Sequence, residues 1–186
     1  MTSTLMAAFP VPAQAPRTLL PDPRQASPAP AGGREAVVNP TKFQRTGELS
    51  RFRAEVDDAF AELRWSSPLW LFTTAATCGT DQAQEAVAAG LDVVLVAGGD
   101  GTICTVAKEL AGSAVPLGIL PAGTGNLLAR NLGVPLGGVA AAVRIGGQGT
   151  DCRLDIGRLE LDRTGRAPTG RPSRSWSWLG PVSTPP

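Results

Sequence analysis

The stretch that decides the fold is "LVAGGDGTICTVAKEL", residues 95–110. An apolar run rich in β-branched residues leads into three glycines and an aspartate, and a helix-like pattern of apolar residues follows. Gly98, Gly99 and Gly101 permit positive φ and leave no Cβ in the way, so backbone N–H groups can point outward at an anion. A helix that starts near Thr102 adds the positive end of its dipole. The stretch therefore predicts a strand, a phosphate-binding turn and a helix.

A second glycine turn follows the next predicted strand, in "LGILPAGTGNLLAR", residues 117–130. This second turn consists of Gly123, Thr124, Gly125 and Asn126, which offer a hydroxyl and an amide without net charge. Because adjacent strands lie about 5 Å apart, both turns should lie on one edge of the sheet, within about 15 Å of each other. The pair of turns favours a ligand site over a purely structural role.

Asp100 lies among the glycines of the first turn, where a carboxylate would repel a phosphate. It fits the site if a Mg²⁺ ion lies between the two groups, or if the aspartate handles a proton. The alternative is a structural turn in which Asp100 is the N-cap of the helix. The dinucleotide-binding fingerprint is not matched, because Cys104 and Leu128 occupy its third glycine position, and no P-loop motif is present.

Strand-like and helix-like segments alternate along residues 34–150. In "GELSRFRAEVDDAFAELRW", residues 47–65, apolar residues recur at three- and four-residue steps, which predicts an amphipathic helix. Strands are predicted in "REAVVNP", "PLWLFTT", "LDVVLVAGG" and "VPLGILPAG", and further helices in "DQAQEAVAAG", "TICTVAKELAG", "GNLLARNLG" and "LGGVAAAVRIGG". This alternation predicts an α/β fold with a largely parallel sheet and right-handed crossovers. Ligands of such sheets bind at the carboxyl ends of the strands.

The segments on either side of this unit differ in composition. Residues 1–33 hold seven of the 17 prolines and many alanines, which predicts a disordered extension. Residues 151–162, "DCRLDIGRLELD", alternate apolar and polar side chains and predict an antiparallel strand that opens another unit. Residues 163–186 hold four arginines, five prolines and no acid, and this tail looks non-native because no helix or strand period runs through it.

Composition excludes several kinds of chemistry. The chain has no histidine, which rules out Ser-His-Asp and Cys-His nucleophile systems and histidine metal sites. Its three cysteines lie far apart and are expected to be reduced, small apolar residues. Residues 34–162 hold 11 basic and 15 acidic residues, which argues against a nucleic-acid partner. No apolar run approaches the roughly 20 residues of a membrane span and no signal peptide is recognised, so we expect a cytoplasmic location.

Four pieces of the sequence together resemble the catalytic domain of diacylglycerol kinases, lipid kinases related to NAD kinases and sphingosine kinases. The pieces are Asn39-Pro40 after the first strand, Thr74 after the second, "GGDGT" at 98–102 and "LPAGTGNLLAR" at 120–130. "GGDGT" alone is shared with NAD kinases, whereas the second motif matches the lipid-kinase branch. The resemblance implies the N-terminal three-layer α/β domain of this fold, with the C-terminal β-rich domain missing.

The resemblance also implies a site for ATP and Mg²⁺ at the strand ends. Asp100 would bind the metal or handle a proton, while the base that the family uses would lie in the missing domain. Thr73 is an alternative to Thr74. The residues implied to bind the nucleotide are Asn39, Thr41, Lys42, Thr74, Gly98, Gly99, Asp100, Gly101, Thr102, Thr124, Gly125 and Asn126.

The implied reaction transfers the γ-phosphoryl group of ATP to a lipid hydroxyl, such as that of diacylglycerol or a sphingoid base. The implied partners are ATP, a lipid alcohol and, for the full-length enzyme, peripheral contact with a membrane. Two alternatives stay open. One is an NAD kinase-like phosphotransferase, and the other is a non-catalytic fragment that binds ATP.

The end of the chain, "RSWSWLGPVSTPP", residues 174–186, suggests that the reading frame was lost between Asp162 and Arg174. Codons that encode this segment can be read one base out of frame as an apolar strand of the kind that opens the family's C-terminal domain. A natural disordered tail is the alternative. On the frameshift hypothesis the strand at 153–161 would lack partners, which is an aggregation hazard, and the truncated chain would be nearly inactive.

Overall fold

The computed structural model describes residues 3–9, 33–160 and 175–180. The strands, in chain order, are β1 (Ser3–Phe9), β2 (Arg34–Val38), β3 (Leu69–Phe72), β4 (Val93–Gly98), β5 (Leu117–Pro121), β6 (Thr150–Glu160) and β7 (Ser175–Gly180). The helices are α1 (Glu48–Glu62), α2 (Thr80–Ala89), α3 (Asp100–Leu110), α4 (Leu127–Asn131) and α5 (Val139–Gln148). A short 3-10 turn at Pro40–Lys42 follows β2.

The strands form a single sheet in the order β3-β2-β4-β5-β1-β6-β7. The pairs from β3 to β1 are parallel, whereas β6 is antiparallel to both of its neighbours. The chain runs from β2 to β3 on one side and then returns to β4 on the other side of β2. Such a reversal of strand order opens a crevice at the carboxyl ends of β2 and β4, where ligands of α/β sheets bind. The predicted α/β fold is confirmed.

The core lies between the sheet and two layers of helices. Helices α1 and α5 pack against each other, and so do α2 and α3 on the opposite face. All of β4 is buried, as its continuous apolar run predicts for a central parallel strand. In α1 the predicted apolar positions Phe52, Val56 and Phe60 are buried, and Leu49 and Leu63 pack against the core from its margin.

The two terminal strands differ from the predictions for their segments. Residues 3–9 form β1 between β5 and β6, although they were expected to belong to a disordered extension. They precede the first proline, so the proline-rich composition of the segment does not describe them. In the tail, "SWSWLG" forms β7, and its tryptophans favour a strand. Predictions for residues 10–32, 161–174 and 181–186 lie outside the described residues.

The predicted strand at 151–162 appears as β6, and it is antiparallel as expected. It belongs to the same sheet rather than to another unit, and β1 and β7 pair with it on either side. The prediction that this strand lacks partners is therefore wrong. The partners come from segments far away in the chain, and nothing in the local pattern of β6 indicates them.

Gly118 in β5 is a position where one methyl group is expected to destabilise the fold. A Cβ at this residue would collide with Cδ2 of Leu95 and lie 3.3 Å from the Cα atom of Gly146 in α5. Because helix backbone cannot move aside easily, we expect Gly118→Ala to lower the free energy of unfolding by about 1–3 kcal/mol. Urea unfolding measures the change. Gly137→Ala is the control, because a Cβ there meets no atom within 4 Å, and equal stability of the two variants would contradict the prediction.

Glu35 in β2 is a carboxyl group inside the core. The residue is 4% exposed, and its Oε2 atom has no hydrogen-bond partner among the described residues. Burial, and to a lesser extent the charge of Glu85 in α2, raise the pKa of Glu35. The folded chain therefore keeps this proton at pH values where the unfolded chain has lost it. The resulting stabilisation is complete below the ordinary value of 4.5 and is lost as the pH rises through the raised pKa.

We expect Glu35→Gln to gain stability relative to the unmodified chain as the pH rises from 5 to 8, because the amide cannot ionise. Chemical denaturation at both pH values measures the two free energies of unfolding. Glu55→Gln, at an exposed position of α1, controls for the loss of one surface charge. If the stability gained by Glu35→Gln were the same at both pH values, the account of the buried carboxyl would be wrong.

Candidate functional site

The two glycine turns touch each other at the carboxyl-end edge of the sheet. A Cβ added to Gly123 would lie 2.6 Å from the Cα atom of Gly99, and one added to Gly99 would lie 3.7 Å from the Cα atom of Gly123. The turns meet because β4 and β5 are neighbours with Gly98 opposite Pro121 in register. The predicted proximity of the two turns is confirmed, and the glycines are what allow the contact.

Gly98 of the first turn is required by lack of space, and none of the glycines in this turn is required by its backbone angle. None of Gly98, Gly99 and Gly101 has a positive φ, so that part of the sequence prediction is wrong. A Cβ at Gly98 would lie 2.7 Å from the Cβ of Thr102, whereas a Cβ at Gly101 would meet no protein atom within 4 Å. Helix α3 begins at Asp100, two residues before the predicted start, and directs its N-terminus at this open space.

Asp100 links the first turn to the second. Its Oδ1 atom accepts hydrogen bonds from the backbone N–H groups of Leu127 at 2.7 Å and Leu128 at 3.4 Å. Its Oδ2 atom lies against Gly125, where an added Cβ would be 2.9 Å away. The N-cap of α3 is Gly99, which forms no side-chain cap. The alternative that Asp100 is the N-cap of α3 is therefore wrong. Its carboxylate instead accepts hydrogen bonds from the first two residues of α4.

The second turn is closed by its own side chains. Asn126 has a positive φ of 49° and is 5% exposed. Its Oδ1 atom accepts from the N–H of Gly123 at 2.9 Å, and its Nδ2 atom donates to the carbonyl of Gly123 at 2.7 Å. Arg130 donates from Nε to the carbonyl of Gly125 at 2.9 Å. The sequence analysis assigns no role to Arg130. The feature of the sequence that could have indicated one is its position at the end of "LPAGTGNLLAR". Thr124 remains exposed at the tip of the turn.

The residues after β2 join the same edge. Asn39 donates from Nδ2 to the Thr102 hydroxyl at 3.0 Å, which connects the end of β2 to α3. Its Oδ1 atom accepts from the backbone N–H and the hydroxyl of Thr41, at 3.1 and 2.7 Å. The exposed Lys42 reaches over the first turn, with its Nζ atom 3.5 Å from where a Cβ of Gly99 would be.

Thr74 forms its hydrogen bonds with Thr77, and none of the described hydrogen bonds links it to the two turns. It follows β3, which is separated from β4 by β2, and its hydroxyl accepts a hydrogen bond from the backbone N–H of Thr77 at 3.2 Å. Thr73 is buried beside Gly79, so Thr74 is the one of the two threonines with an exposed side chain.

The chemistry available for a metal ion at this edge is limited to a few oxygens. Within the described parts of the chain, no three cysteine, aspartate or glutamate residues cluster to hold a metal. Asp100 is the carboxylate that lies at the turns. Burial, and next the charge of Asp100, raise the pKa of the half-buried Cys104 thiol, which favours its neutral form. A metal here would need ligands from a bound phosphate in addition to Asp100.

A cleft of about 240 Å³ opens beside the second turn, where β5 ends. Its walls are mostly apolar, and Glu55 is the carboxylate among them. The lining residues are Phe52, Glu55, Leu120, Pro121, Pro135, Leu136, Gly137, Gly138 and Val139. The cleft lies between the end of β5, α1 and the segment that leads into α5.

The chain adopts an α/β fold with a largely parallel sheet, and its two glycine turns follow β4 and β5, beside the point where the strand order reverses. The sequence profile of the diacylglycerol kinase catalytic domain matches residues 36–159, so the chain belongs to that family of kinases. The resemblance predicted from the glycine motifs is confirmed.

Three relatives illustrate the match. A diacylglycerol kinase from Mycobacterium tuberculosis is 47% identical over 77 residues, which cover 41% of this chain and 25% of that protein. A diacylglycerol kinase from Bacillus subtilis is 38% identical over 125 residues, 66% of this chain and 40% of that one. A probable lipid kinase YegS-like from Klebsiella pneumoniae is 42% identical over 83 residues, 44% of this chain and 27% of that one.

The fold is also similar to that of a solved structure. The crystal structure of a putative diacylglycerol kinase from Bacillus anthracis str. Sterne superposes with a TM-score of 0.54 at 30% identity, over 63% of this chain and 42% of that chain. The chain thus matches between a quarter and about two fifths of the length of these relatives. In the part of the chain that the structure describes, no helix is both long and apolar enough to cross a membrane.

Proposed function

We propose that this chain binds ATP with Mg²⁺ at the edge formed by the two contacting glycine turns, as part of an ATP-dependent lipid kinase. The contact between Gly99 and Gly123 carries the proposal, because it brings the backbones of both turns to one place. Helix α3, which is 11 residues long, begins at the same place and adds its positive end. Backbone N–H groups together with a helix N-terminus are a favourable environment for phosphates.

Two charged side chains complete the proposed phosphate site. Lys42 reaches over the first turn and would neutralise part of the charge on the phosphates. Mg²⁺ in kinases binds one or two carboxylates together with substrate phosphates and water. The Oδ2 atom of Asp100 accepts no hydrogen bond among the described residues and is suited to that role. When bound, the ion would neutralise charge that develops on the transferred phosphoryl group.

The proposed reaction moves the γ-phosphoryl group of ATP to a lipid hydroxyl. The hydroxyl oxygen forms a bond to the γ-phosphorus, the bond from phosphorus to the ADP oxygen breaks, and the hydroxyl proton passes to a base. Support for a lipid acceptor comes from the family membership and from the relatives that are named diacylglycerol kinase or lipid kinase. Peripheral contact of the whole enzyme with a membrane belongs to the same proposal.

Two measurements test this function. Calorimetry of the purified chain with ATP and MgCl₂ should give saturable binding at one site, and no detectable binding would contradict the proposal. Radiolabelled ATP is then supplied with diacylglycerol, a sphingoid base or NAD, and any label that is transferred should appear on a lipid. Transfer to NAD would instead favour an NAD kinase-like activity. ATP binding without transfer to any acceptor is the result expected of a non-catalytic fragment that binds ATP, and it would leave only the binding part of the proposal for this chain.

A further inference from the structure

We propose that Asp100 is a positioning residue that fixes α4 and the second glycine turn against the first turn. The effect on nucleotide affinity rests on the function proposed above, whereas the link itself is measurable without any nucleotide. In this role the Oδ1 atom of the carboxylate is a hydrogen-bond acceptor for another element of the protein. That role is separate from any contact of Asp100 with a metal ion or a proton.

The carboxylate of Asp100 contacts the second turn and the start of α4. Asp100 is the first residue of α3, and its Oδ1 atom accepts from Leu127 and Leu128, the first two residues of α4. Its other oxygen lies against Gly125, so the contacts run from the second turn into α4. One side chain of the first turn thus holds a continuous stretch of the second.

The second observation is that α4 has no cap of its own. Asn126 occupies its N-cap position, and an asparagine there usually accepts a hydrogen bond from the first turn of the helix. Here the side chain of Asn126 bonds to Gly123 instead and forms no cap. The N–H groups at the start of the helix therefore need another acceptor, and Asp100 supplies it.

The third observation is the length of α4. It has five residues, which is too short for a helix to be stable without tertiary contacts. Asp100 gives it a charge-assisted hydrogen bond from a neighbouring element. Because α4 directly continues the second turn, loss of this bond would free both α4 and the exposed Thr124 at the tip of the turn.

The inference distinguishes two substitutions of Asp100. Asparagine keeps an acceptor oxygen at the position of Oδ1 but removes the charge, whereas alanine removes both. If Asp100 acted only on a metal ion or a proton, the two variants should fail alike when Mg²⁺ is present and have no effect when it is absent. If Asp100 positions α4, Asp100→Ala should weaken the hydrogen-exchange protection of α4 and the nucleotide affinity even without Mg²⁺. Asp100→Asn should keep most of both.

The first test is amide hydrogen exchange, followed by NMR without nucleotide. Asp100→Ala should speed exchange at Leu127 and Leu128 by about tenfold or more, the size expected for loss of a hydrogen bond to a charged group. Asp100→Asn should retain most of the protection. Asp58→Ala, which removes an exposed carboxylate from α1, is the control and should leave both amides unchanged. Unchanged protection in Asp100→Ala would overturn the inference, and if that variant does not fold, loss of protection in Asp100→Asn would overturn it.

The second test is the affinity for ADP in EDTA, where no metal ion can contribute. Both variants remove the charge that repels a phosphate, so they are compared with each other, and Asp100→Ala should bind ADP about tenfold more weakly than Asp100→Asn. Equal ADP affinity of the alanine and asparagine variants would overturn the positioning role at the site. Absence of nucleotide binding by the unmodified chain would count against the proposed function alone, because the exchange measurement still decides the link between Asp100 and α4.

Discussion

Gly123→Ala is expected to abolish ATP binding although it adds a single methyl group. The new Cβ would lie 2.6 Å from the Cα atom of Gly99 and 2.8 Å from the Oδ1 atom of Asn126. The turns would have to separate, and the side chain that closes the second turn would be displaced. We expect ATP affinity to fall by at least about a hundredfold, as for the loss of one or two hydrogen bonds to a charged phosphate, and the free energy of unfolding to fall by about 1–3 kcal/mol.

The change in affinity is measured by calorimetry with ATP and MgCl₂, and the change in stability by urea unfolding. Gly137→Ala is the matched control for stability, since its added methyl group meets open space. ATP binding by Gly123→Ala at the strength of the unmodified chain would contradict the claim that contact between the turns builds the site.

Gly101→Val is expected to remove ATP binding and to leave the fold intact. A Cβ at Gly101 meets no protein atom within 4 Å, and the residue is exposed in the first turn of α3. The space that a valine would fill is therefore the space proposed for the phosphates. We expect affinity to fall at least about tenfold, with a stability change of no more than about 1 kcal/mol from the altered helix propensity.

Lys108→Val is the control for this second prediction. It places the same β-branched side chain on an exposed position of the same helix, seven residues further on and on the same face. It should change stability by no more than about 1 kcal/mol, downwards because valine is a poorer helix former than lysine, and it should leave ATP affinity unchanged. Gly101→Val and Lys108→Val with equal ATP affinity would show that the open space beside Gly101 is not part of the site.

The sequence predicted the central part of the fold well because each element between β2 and α5 carries its own local signal. The apolar steps of α1, the continuous apolar run of β4 and the glycine turns all depend on residues a few positions apart. The terminal strands were missed for the opposite reason. β1 pairs with β6 across more than 140 residues, and its composition was read together with the prolines that follow it. Pairing between such distant segments leaves no local periodicity to detect.

The candidate site, like the fold, could be predicted from the sequence only where the signal is local. The two turns and Lys42 could be assigned from local pattern and resemblance. The connection from Asp100 to Leu127 could not, because the two residues are 27 positions apart and the bond depends on how β4 and β5 align. Asn126 was assigned to nucleotide binding, although both polar groups of its side chain bond to Gly123 three residues earlier. An asparagine in a glycine turn fits either role, and the structure is needed to see which groups its amide meets.

The measurement that tests the central claim most directly is a titration of the isotope-labelled chain with ATP and MgCl₂, followed through its backbone amide NMR signals. The account predicts saturable shifts that are largest at residues 99–102 and 123–126, in the two turns that touch at the edge of the sheet. The amide signals of β6, which lies two strands from β5 in the sheet, should shift little. Shifts confined to one turn, shifts centred elsewhere in the chain, or no saturable shift would contradict the claim that the contacting turns form the nucleotide site.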